Sequence, residues 1–305
     1  MRTAFFTTLV ELAAEDERLH LVVGDLGFGA VEPFARRFPD RFLNAGVAEQ
    51  NMTGIAAGLA LCGKVVFTYS IGNFSTLRCL EQIRNDVCYH RADVKIVSVG
   101  GGFAYGALGM THHVVEDLAI MRALPGMTVV APGDPFEVEQ ATRAVLTQPG
   151  PCYLRLGRAG EPRLHRSNVV FKLGRAIRVR EGRSLTIVST GGLLETALRV
   201  ADRLAASGLE ARVVSMHTLK PIDEAEILSA AAETRAIATL EEHSVIGGLG
   251  GAVAEILAES PGPQGRLKRF GASSSFALRV GSQEYMRATN GLSPDAICRA
   301  LQEWL

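Results

Sequence analysis

The sequence lacks a charge imbalance, a long apolar run and a targeting segment. Lys plus Arg and Asp plus Glu number 32 each in 305 residues, so the formal net charge is zero. Nothing in this balance favours a nucleic acid or an anionic membrane as a partner. No apolar run approaches the roughly 18 residues that a membrane span requires. The N-terminal stretch meets its first acid at Glu11 and shows no small-residue cleavage site, so we expect an amphipathic helix rather than a signal peptide.

Cysteine pairs at redox or metal-binding spacing are also missing. The five cysteines stand at positions 62, 79, 88, 152 and 298, with no CxxC motif. This pattern favours reduced core residues of a cytoplasmic protein over a disulfide framework or a metal site. Low-complexity segments and short repeats are absent as well.

What the sequence does contain is a regular alternation of apolar strands and helical segments. Hydrophobic residues make up 47% of the chain and charged residues 21%. Near-continuous apolar strands between helices are typical of a parallel sheet covered on both faces. In the first half, strands are predicted at 20–24, 64–68, 94–99, 127–131 and 152–156. In the second half, they are predicted at 184–190, 210–216 and 236–242, with helices beginning near 194 and 223.

This alternation predicts an α/β protein with two domains, each a mostly parallel sheet with helices on both faces. We place the first domain at 1–160, a polar linker at 161–180 and the second domain at 181–305. Functional residues should lie where parallel strands end and loops open over the sheet. Asp25, the 69–74 loop and the 100–113 loop occupy such positions.

The segment 44–61, NAGVAEQNMTGIAAGLAL, carries one acid, Glu49, in the first turn of a helix of small and apolar residues. The residues that recur at helical spacing and define its buried face are Met52, Ile55, Ala56 and Leu59. An acid on a helix built for close packing is costly unless something binds it. The alternative is a solvated carboxylate favoured by the helix dipole.

The sequence GVAEQNMTGIAAGLA closely resembles the glutamate helix of thiamine-diphosphate enzymes of the transketolase group. It is most similar to the free-standing C-terminal half of a split transketolase. The resemblance implies that Glu49 hydrogen-bonds the aminopyrimidine ring of thiamine diphosphate and promotes the proton transfer that activates this cofactor.

The same resemblance implies three further cofactor contacts. In the segment 65–90, Phe74 matches an aromatic residue that stacks on the aminopyrimidine ring. Ile71 stands where the family usually has a second aromatic residue, which leaves an apolar wall. Asp25 matches an acid near the cofactor. The alternatives are a core position for Phe74 and a helix cap for Asp25.

On the substrate side, His112 matches a histidine that contacts substrate oxygens; capping of the following helix is its alternative role. Arg158 matches an arginine that binds substrate phosphate, with Arg155 as the alternative. Arg2 matches another arginine for the substrate anion. His112 and His113 do not form a metal site, since no third ligand is evident.

Two positions depart from the sugar-phosphate enzymes of the family. Gly100 replaces a phosphate-binding histidine, and Leu108 replaces an aspartate that binds a sugar hydroxyl. Hydrogen-bonding positions discriminate strongly between substrates. We therefore expect a two-carbon ketol transfer to an aldehyde or keto acceptor that is not an ordinary sugar phosphate.

The family binds the cofactor diphosphate through Mg²⁺ held by a GDG…N segment, and this chain has no such segment. The resemblance thus implies an N-terminal transketolase subunit as an obligate partner that carries the Mg²⁺ and diphosphate site, in a heterotetramer. The Gly-rich run at 247–251 is interpreted as a tight turn rather than an anion site.

Three other functions stay open at this point. One is a deoxyxylulose-phosphate-synthase-like subunit, for which Arg78 would also fit, and the second is a 2-oxo-acid decarboxylating enzyme subunit. The third is a non-catalytic regulatory partner, against which the presence of Glu49 argues.

Overall fold

A computed structural model of the chain describes residues 1–165, 169–262 and 265–305. Residues 166–168 of the predicted linker therefore lie outside the described residues. The twelve strands are β1 Leu19–Val23, β2 Phe42–Asn44, β3 Val65–Ile71, β4 Val94–Val99, β5 Thr128–Val130, β6 Cys152–Leu156, β7 Ile177–Arg180, β8 Leu185–Ser189, β9 Ala211–Ser215, β10 Thr218–Lys220, β11 Ala236–Ser244 and β12 Arg266–Ala272. They form a seven-stranded sheet of order β10-β5-β6-β4-β3-β1-β2 and a five-stranded sheet of order β12-β11-β8-β9-β7.

Helices connect and flank these strands. They are α1 Arg2–Glu15, α2 Glu32–Arg37, α3 Glu49–Leu61, α4 Gly72–Ser75, α5 Leu80–Gln82, α6 Asp117–Ala123, α7 Pro135–Thr147, α8 Leu194–Ala205, α9 Glu224–Glu233, α10 Leu249–Glu259, α11 Gln283–Thr289 and α12 Pro294–Trp304. A π-helix, Ile83–Cys88, continues directly from α5. Among the described residues, no helix is both long enough and apolar enough to span a bilayer.

The predicted fold class is confirmed, because both sheets are parallel apart from one strand each. The apolar strands predicted in the first half are all present. Each residue of β3, β4 and β6 is buried, as expected for central strands covered on both faces.

Two strands differ from the sequence-based division of the chain. Strand β7 lies within the stretch predicted as linker, yet it pairs antiparallel with β9 at the edge of the second sheet. Strand β10 follows β9 in the chain but pairs antiparallel with β5 and so extends the first sheet. The first sheet thus gains an edge strand from the second half of the chain, and the second sheet gains one from the predicted linker.

The two halves meet at the buried side chain of Glu242 in β11. Its Oε1 accepts a hydrogen bond from the backbone amide of Phe103 at 2.7 Å, in the loop that follows β4. Its Oε2 accepts from the Arg287 guanidinium at 2.6 Å, and Gln283 donates to both oxygens. This carboxylate therefore fixes the 100–113 loop of the first half against α11 of the second half.

The Gly-rich run at 247–251 also has an internal partner. The backbone amides of Leu249 and Gly250, at the start of α10, donate to the carboxylate of Glu241 at 2.7 and 2.8 Å. Burial raises the pKa of Glu241 to about 7, and the two amides oppose that rise. Because the chain's own carboxylate occupies this helix N-terminus, the run serves as a tight turn and not as a site for an external anion.

We expect Gly102→Ala to loosen the junction at Glu242. Gly102 has φ +68°, and an added Cβ would lie 2.5 Å from Cγ of Glu242. Gly126→Ala is the matched control, since Gly126 has φ +74° with nothing within 4 Å. The control should lose about 1–2 kcal/mol from its backbone conformation alone, and Gly102→Ala should lose more. Urea unfolding midpoints of the two variants measure this, and equal losses would contradict the role assigned to the junction.

Candidate active site

Glu49 lies where the first sheet ends and α3 begins. Its side chain is 2% exposed and is inserted between the carboxyl ends of β1 and β3. Ser70 donates from Oγ to Glu49 Oε1 at 3.2 Å. Gly24 makes room for it, because a Cβ there would lie 3.1 Å from Glu49 Cγ. The structure therefore excludes the alternative of a solvated carboxylate.

The remaining oxygen of Glu49 is bound by Arg78. Arg78 Nη1 lies 2.7 Å from Glu49 Oε2, and its guanidinium carbon lies 4.5 Å from the centre of the Phe74 ring. The backbone oxygen of Arg78 accepts from the Gln50 side chain at 3.0 Å, which ties this turn to the start of α3. The Arg78 side chain is 44% exposed, so it forms the outer boundary of the Glu49 pocket.

Phe74, in the short helix α4, is half-buried and packs partly against the first-domain core. Its ring meets the His112 ring edge-on, with centroids 5.2 Å apart. Phe74 therefore packs against the core and also contacts the side chains of His112 and Arg78. Ile71, at the end of β3, is 8% exposed and belongs to the same core cluster. It forms part of the core against which Phe74 packs.

The adjacent histidines lie in different surroundings. His113 is 4% exposed, its Nε2 is 3.1 Å from the Gly106 carbonyl oxygen, and its ring packs edge-on against Phe103. His112 is half-buried beside Phe74, with Nδ1 3.0 Å from the hydroxyl of Thr111. Burial, with the neighbouring His113, lowers the pKa of His112, so its ring is neutral at pH 7. A neutral imidazole at this position can donate or accept one hydrogen bond.

Tyr105 fills the space beside Gly100. Gly100 has φ +90°, and an added Cβ would lie 2.2 Å from Cε2 of Tyr105. The Tyr105 ring lies 6.5 Å from the His112 ring, and the Arg158 guanidinium lies 5.5 Å from the Tyr105 ring centre. Sequence reasoning missed Tyr105, and the signal was the aromatic residue within the glycine-rich run GGGFAYG. The Tyr105 ring thus occupies the space that a side chain at residue 100 would fill.

Arg155 and Arg158 have different roles. Arg155 is 4% exposed, and its Nε lies 2.8 Å from Asp117 Oδ2. Its Nη2 donates to the carbonyl oxygens of Val114 and Glu242. The guanidinium of Arg155 is therefore used in holding the two halves together, whereas Arg158 is exposed beside Tyr105.

Arg2 and Asp25 lie at the edges of this arrangement. Arg2 begins α1, and among the described residues its buried Nε has no hydrogen-bond partner. Burial raises the pKa of Tyr105, and the positive charges of Arg158 and Arg2 oppose that rise. Asp25 has φ +53° and exchanges hydrogen bonds with Asn44 at the ends of β1 and β2. Because the next helix begins only at Glu32, Asp25 is not its cap.

The structure thus connects four of the predicted residues, Glu49, Phe74, His112 and Arg158, in one row, and leaves Arg2, Asp25 and Ile71 outside it. The row begins at the buried Glu49 carboxylate and continues through the Arg78 guanidinium to the Phe74 ring. It then passes the His112 imidazole and the Tyr105 phenol and ends at the Arg158 guanidinium. One end of the row suits proton exchange and the other end suits an acidic group.

A separate buried cluster of possible metal ligands does not belong to this row. In the part of the chain that the structure describes, Asp134, Glu137 and His165 form the only such group of three. Asp134 accepts from the backbone amides of Glu137, Leu164 and His165, while the Glu137 carboxylate pairs with His165 and the amide of Gly133. These bonds already use the ligand atoms, so the cluster caps α7 and anchors the segment after β6.

The two arginines can be separated by their effect on stability. Arg155→Met leaves Asp117 as a buried, unpaired charge and should cost about 3–5 kcal/mol. Arg158→Met alters an exposed side chain and should change the free energy of unfolding by less than about 0.5 kcal/mol. Urea unfolding followed by circular dichroism measures both values. Similar losses in the two variants would contradict the distinction.

Comparison with known proteins places the whole chain in one family. The model of the transketolase pyrimidine-binding domain matches residues 1–161, and that of the transketolase C-terminal domain matches residues 174–297. An apulose-4-phosphate transketolase subunit of Phocaeicola vulgatus is 38% identical over 306 residues, covering 100% of this chain and 97% of that protein. A 6-deoxy-6-sulfo-D-fructose transketolase subunit of Clostridium sp. (strain MSTE9) is 40% identical over 305 residues, covering 99% and 94%.

A solved structure gives the same result. A split-gene transketolase, described as an inactive β4 tetramer, superposes with a TM-score of 0.89 at 38% identity, covering 99% of this chain and 96% of that one. The resemblance inferred from the glutamate helix is confirmed. The chain belongs to the transketolase family of transferases, as the half that carries the pyrimidine-binding and C-terminal domains.

Proposed function

We propose that this chain is the cofactor-activating and substrate-binding subunit of a two-component, thiamine-diphosphate-dependent transketolase that transfers a two-carbon ketol unit to an aldehyde or keto acceptor. The observation that carries the proposal is the buried Glu49 carboxylate, held at the end of a parallel sheet beside an aromatic ring. Its relatives of matching length are named as transketolase subunits, which supports the two-component organisation.

The residues present fit the pyrimidine end of thiamine diphosphate. That ring offers hydrogen-bonding nitrogens and a flat aromatic face, and the pocket offers the Glu49 carboxylate and the Phe74 ring. When bound, thiamine diphosphate supplies the stabilised two-carbon carrier of the reaction. Glu49 would exchange a proton with a pyrimidine nitrogen, and Ser70 would hold the carboxylate in position. Ile71 and Asp25 would support the wall and the rim of this pocket.

His112 and the arginines would serve the substrate. The neutral ring of His112 would donate to, or accept from, an oxygen at the reacting carbon. Arg158, stacked beside Tyr105, would bind the acidic end of the substrate, assisted by Arg2. The row of contacts gives the order in which a substrate would lie, with its reacting carbon near Phe74 and its anion near Arg158.

The diphosphate and its Mg²⁺ require a partner subunit. In the described ranges, the only cluster of three possible metal ligands is Asp134, Glu137 and His165, whose ligand atoms are already hydrogen-bonded within the chain. We therefore assign the Mg²⁺ ligands to an N-terminal transketolase subunit. The exposed apolar residues Val47 and Leu77 lie within two residues of Glu49 and Arg78 in the chain and suit a protein interface. A heterotetramer of two such pairs is the assembly we propose. The five free thiols suit a reducing cytoplasm.

The substrate we propose is a sugar derivative with an acidic end, other than the ordinary pentose and tetrose phosphates. Tyr105 fills the space at Gly100, and Leu108 is exposed where a hydroxyl-binding acid would stand. The relatives are named for apulose 4-phosphate and 6-deoxy-6-sulfo-D-fructose, which both carry an anionic group. The retained arginines and the lost polar positions both favour this class of substrate.

Glu49→Gln should abolish turnover in the complex with the partner subunit while assembly is retained. The amide cannot exchange the proton that cofactor activation requires. Steady-state kinetics measure turnover, and analytical ultracentrifugation measures assembly. The control is Asn51→Ala, an exposed change on the same helix.

The wild-type chain without its partner should show no micromolar binding of thiamine diphosphate by calorimetry. Near-wild-type activity of Glu49→Gln, or tight binding by the lone chain, would refute the proposal.

The wild-type complex should turn over sulfonated or branched sugar substrates more efficiently than ribose 5-phosphate or erythrose 4-phosphate. Arg158→Met should raise KM for the anionic substrates by about 10- to 100-fold, the equivalent of about 1.4–2.8 kcal/mol, with a smaller effect on kcat. The control is Arg163→Met, because Arg163 is an exposed arginine paired with Glu139. Efficient use of the two ordinary sugar phosphates would contradict the substrate class. An unchanged KM would remove Arg158 from the site.

A further inference from the structure

Arg78 makes two contacts that the proposed function assigns to the cofactor. It donates from Nη1 to Glu49 Oε2 at 2.7 Å, and its guanidinium lies over the Phe74 ring at 4.5 Å. The pyrimidine ring of thiamine diphosphate would need the same carboxylate and the same aromatic face. A planar guanidinium imitates a flat, hydrogen-bonding heterocycle in both respects.

The two occupants exclude each other at Glu49. Ser70 already takes Oε1, and Gly24 and Ser70 enclose the side chain from within. Arg78 takes Oε2 on the outer side, where its 44% exposed side chain faces solvent. A pyrimidine ring that approaches Glu49 from outside must therefore displace the guanidinium.

The local structure permits this displacement. Arg78 belongs to a short 3-10 turn, Leu77–Cys79, whose neighbour Cys79 is fully buried and donates from its thiol to the Phe74 carbonyl oxygen at 3.1 Å. The Gln50 side chain also holds the backbone oxygen of Arg78. The main chain is thus anchored at two points, whereas the side chain can leave the pocket through rotamer changes alone.

We propose that Arg78 is an internal occupant of the pyrimidine site, which pairs with Glu49 and covers Phe74 until the cofactor binds. This inference rests on the proposed function. A buried carboxylate without a cation would be costly, and Arg78 satisfies it until the assembled enzyme takes up thiamine diphosphate. The apparent affinity for the cofactor is then reduced by the fraction of molecules in which the pocket is closed.

The test compares Arg78→Gln and Arg78→Met with the matched control Arg84→Gln, an exposed arginine in the following π-helix whose partner is Asn85. Calorimetry of the assembled complex with thiamine diphosphate and Mg²⁺ gives the dissociation constant. Removal of the internal occupant should lower this constant about three- to tenfold, as expected if the pocket is closed in about two-thirds to nine-tenths of the molecules. Arg84→Gln should leave it unchanged.

A second measurement uses the full chain without its partner or cofactor. Arg78→Gln should lower the thermal unfolding midpoint, because Glu49 loses its cation. In the Glu49→Gln background the same change should have no further effect, since no carboxylate remains to be paired. Should Arg78→Gln fail to fold, Arg78→Lys replaces it. This variant keeps the charge but lacks the planar stacking group, so it should shift the dissociation constant in the same direction by a smaller factor.

Three outcomes would overturn the inference. Weaker cofactor binding in the Arg78 variants would make Arg78 a residue that holds the cofactor. An unchanged dissociation constant would mean that the arginine leaves the pocket on assembly. Additive effects of Arg78→Gln and Glu49→Gln on the isolated chain would mean that the two side chains are not coupled. No binding of thiamine diphosphate by the wild-type complex would instead refute the proposed function, so the two failures are distinct.

Discussion

The burial of one carboxylate, that of Glu49, at the end of a parallel sheet is the constraint on which the site depends. An ionised group in that position requires compensation from every side. Ser70 and Arg78 provide the hydrogen bonds, and the missing side chain of Gly24 provides the space. Small buried residues of α3, such as Ala56, let the helix approach the sheet closely enough to insert the acid. The local sequence around Glu49 therefore accommodates a buried charge as well as close packing.

The second constraint is the carboxylate of Glu242, which fixes the 100–113 loop of the first half against α11 of the second half. It accepts from the amide of Phe103 and from Arg287, and Arg155 donates to the backbone carbonyl oxygen of Glu242. The loop that carries Tyr105 and His112 is held by this junction. The C-terminal domain thus has a physical part in the site although it contributes none of the side chains in the row. Its contribution is the position of the loop.

The sequence was sufficient for the fold class, which follows from local patterns, whereas Phe74, His112 and Arg158 were proposed from the family resemblance. Apolar runs mark the central strands, and an acid on an otherwise apolar helix marks Glu49. It was insufficient where a long-range contact decides the outcome. Strand β10 joins the other sheet through pairing with β5, which no local pattern signals. The roles of Arg155 and Arg158, three residues apart, are set by Asp117 and Tyr105, both distant in the chain. The short, largely exposed β2 carries too little apolar pattern to be found.

The departure at Gly100 has a physical meaning that the sequence alone left open. A missing side chain could have left a cavity for a larger substrate, but the Tyr105 ring occupies that space and a backbone at φ +90° disfavours any side chain at residue 100. A histidine cannot be restored there by one substitution, because it would need both a new backbone conformation and the removal of the ring. Tyr105 also contacts Arg158, so the ring that fills the space at Gly100 helps to place the Arg158 guanidinium. The space beside Gly100 is therefore filled by an aromatic ring that also lies against an exposed arginine.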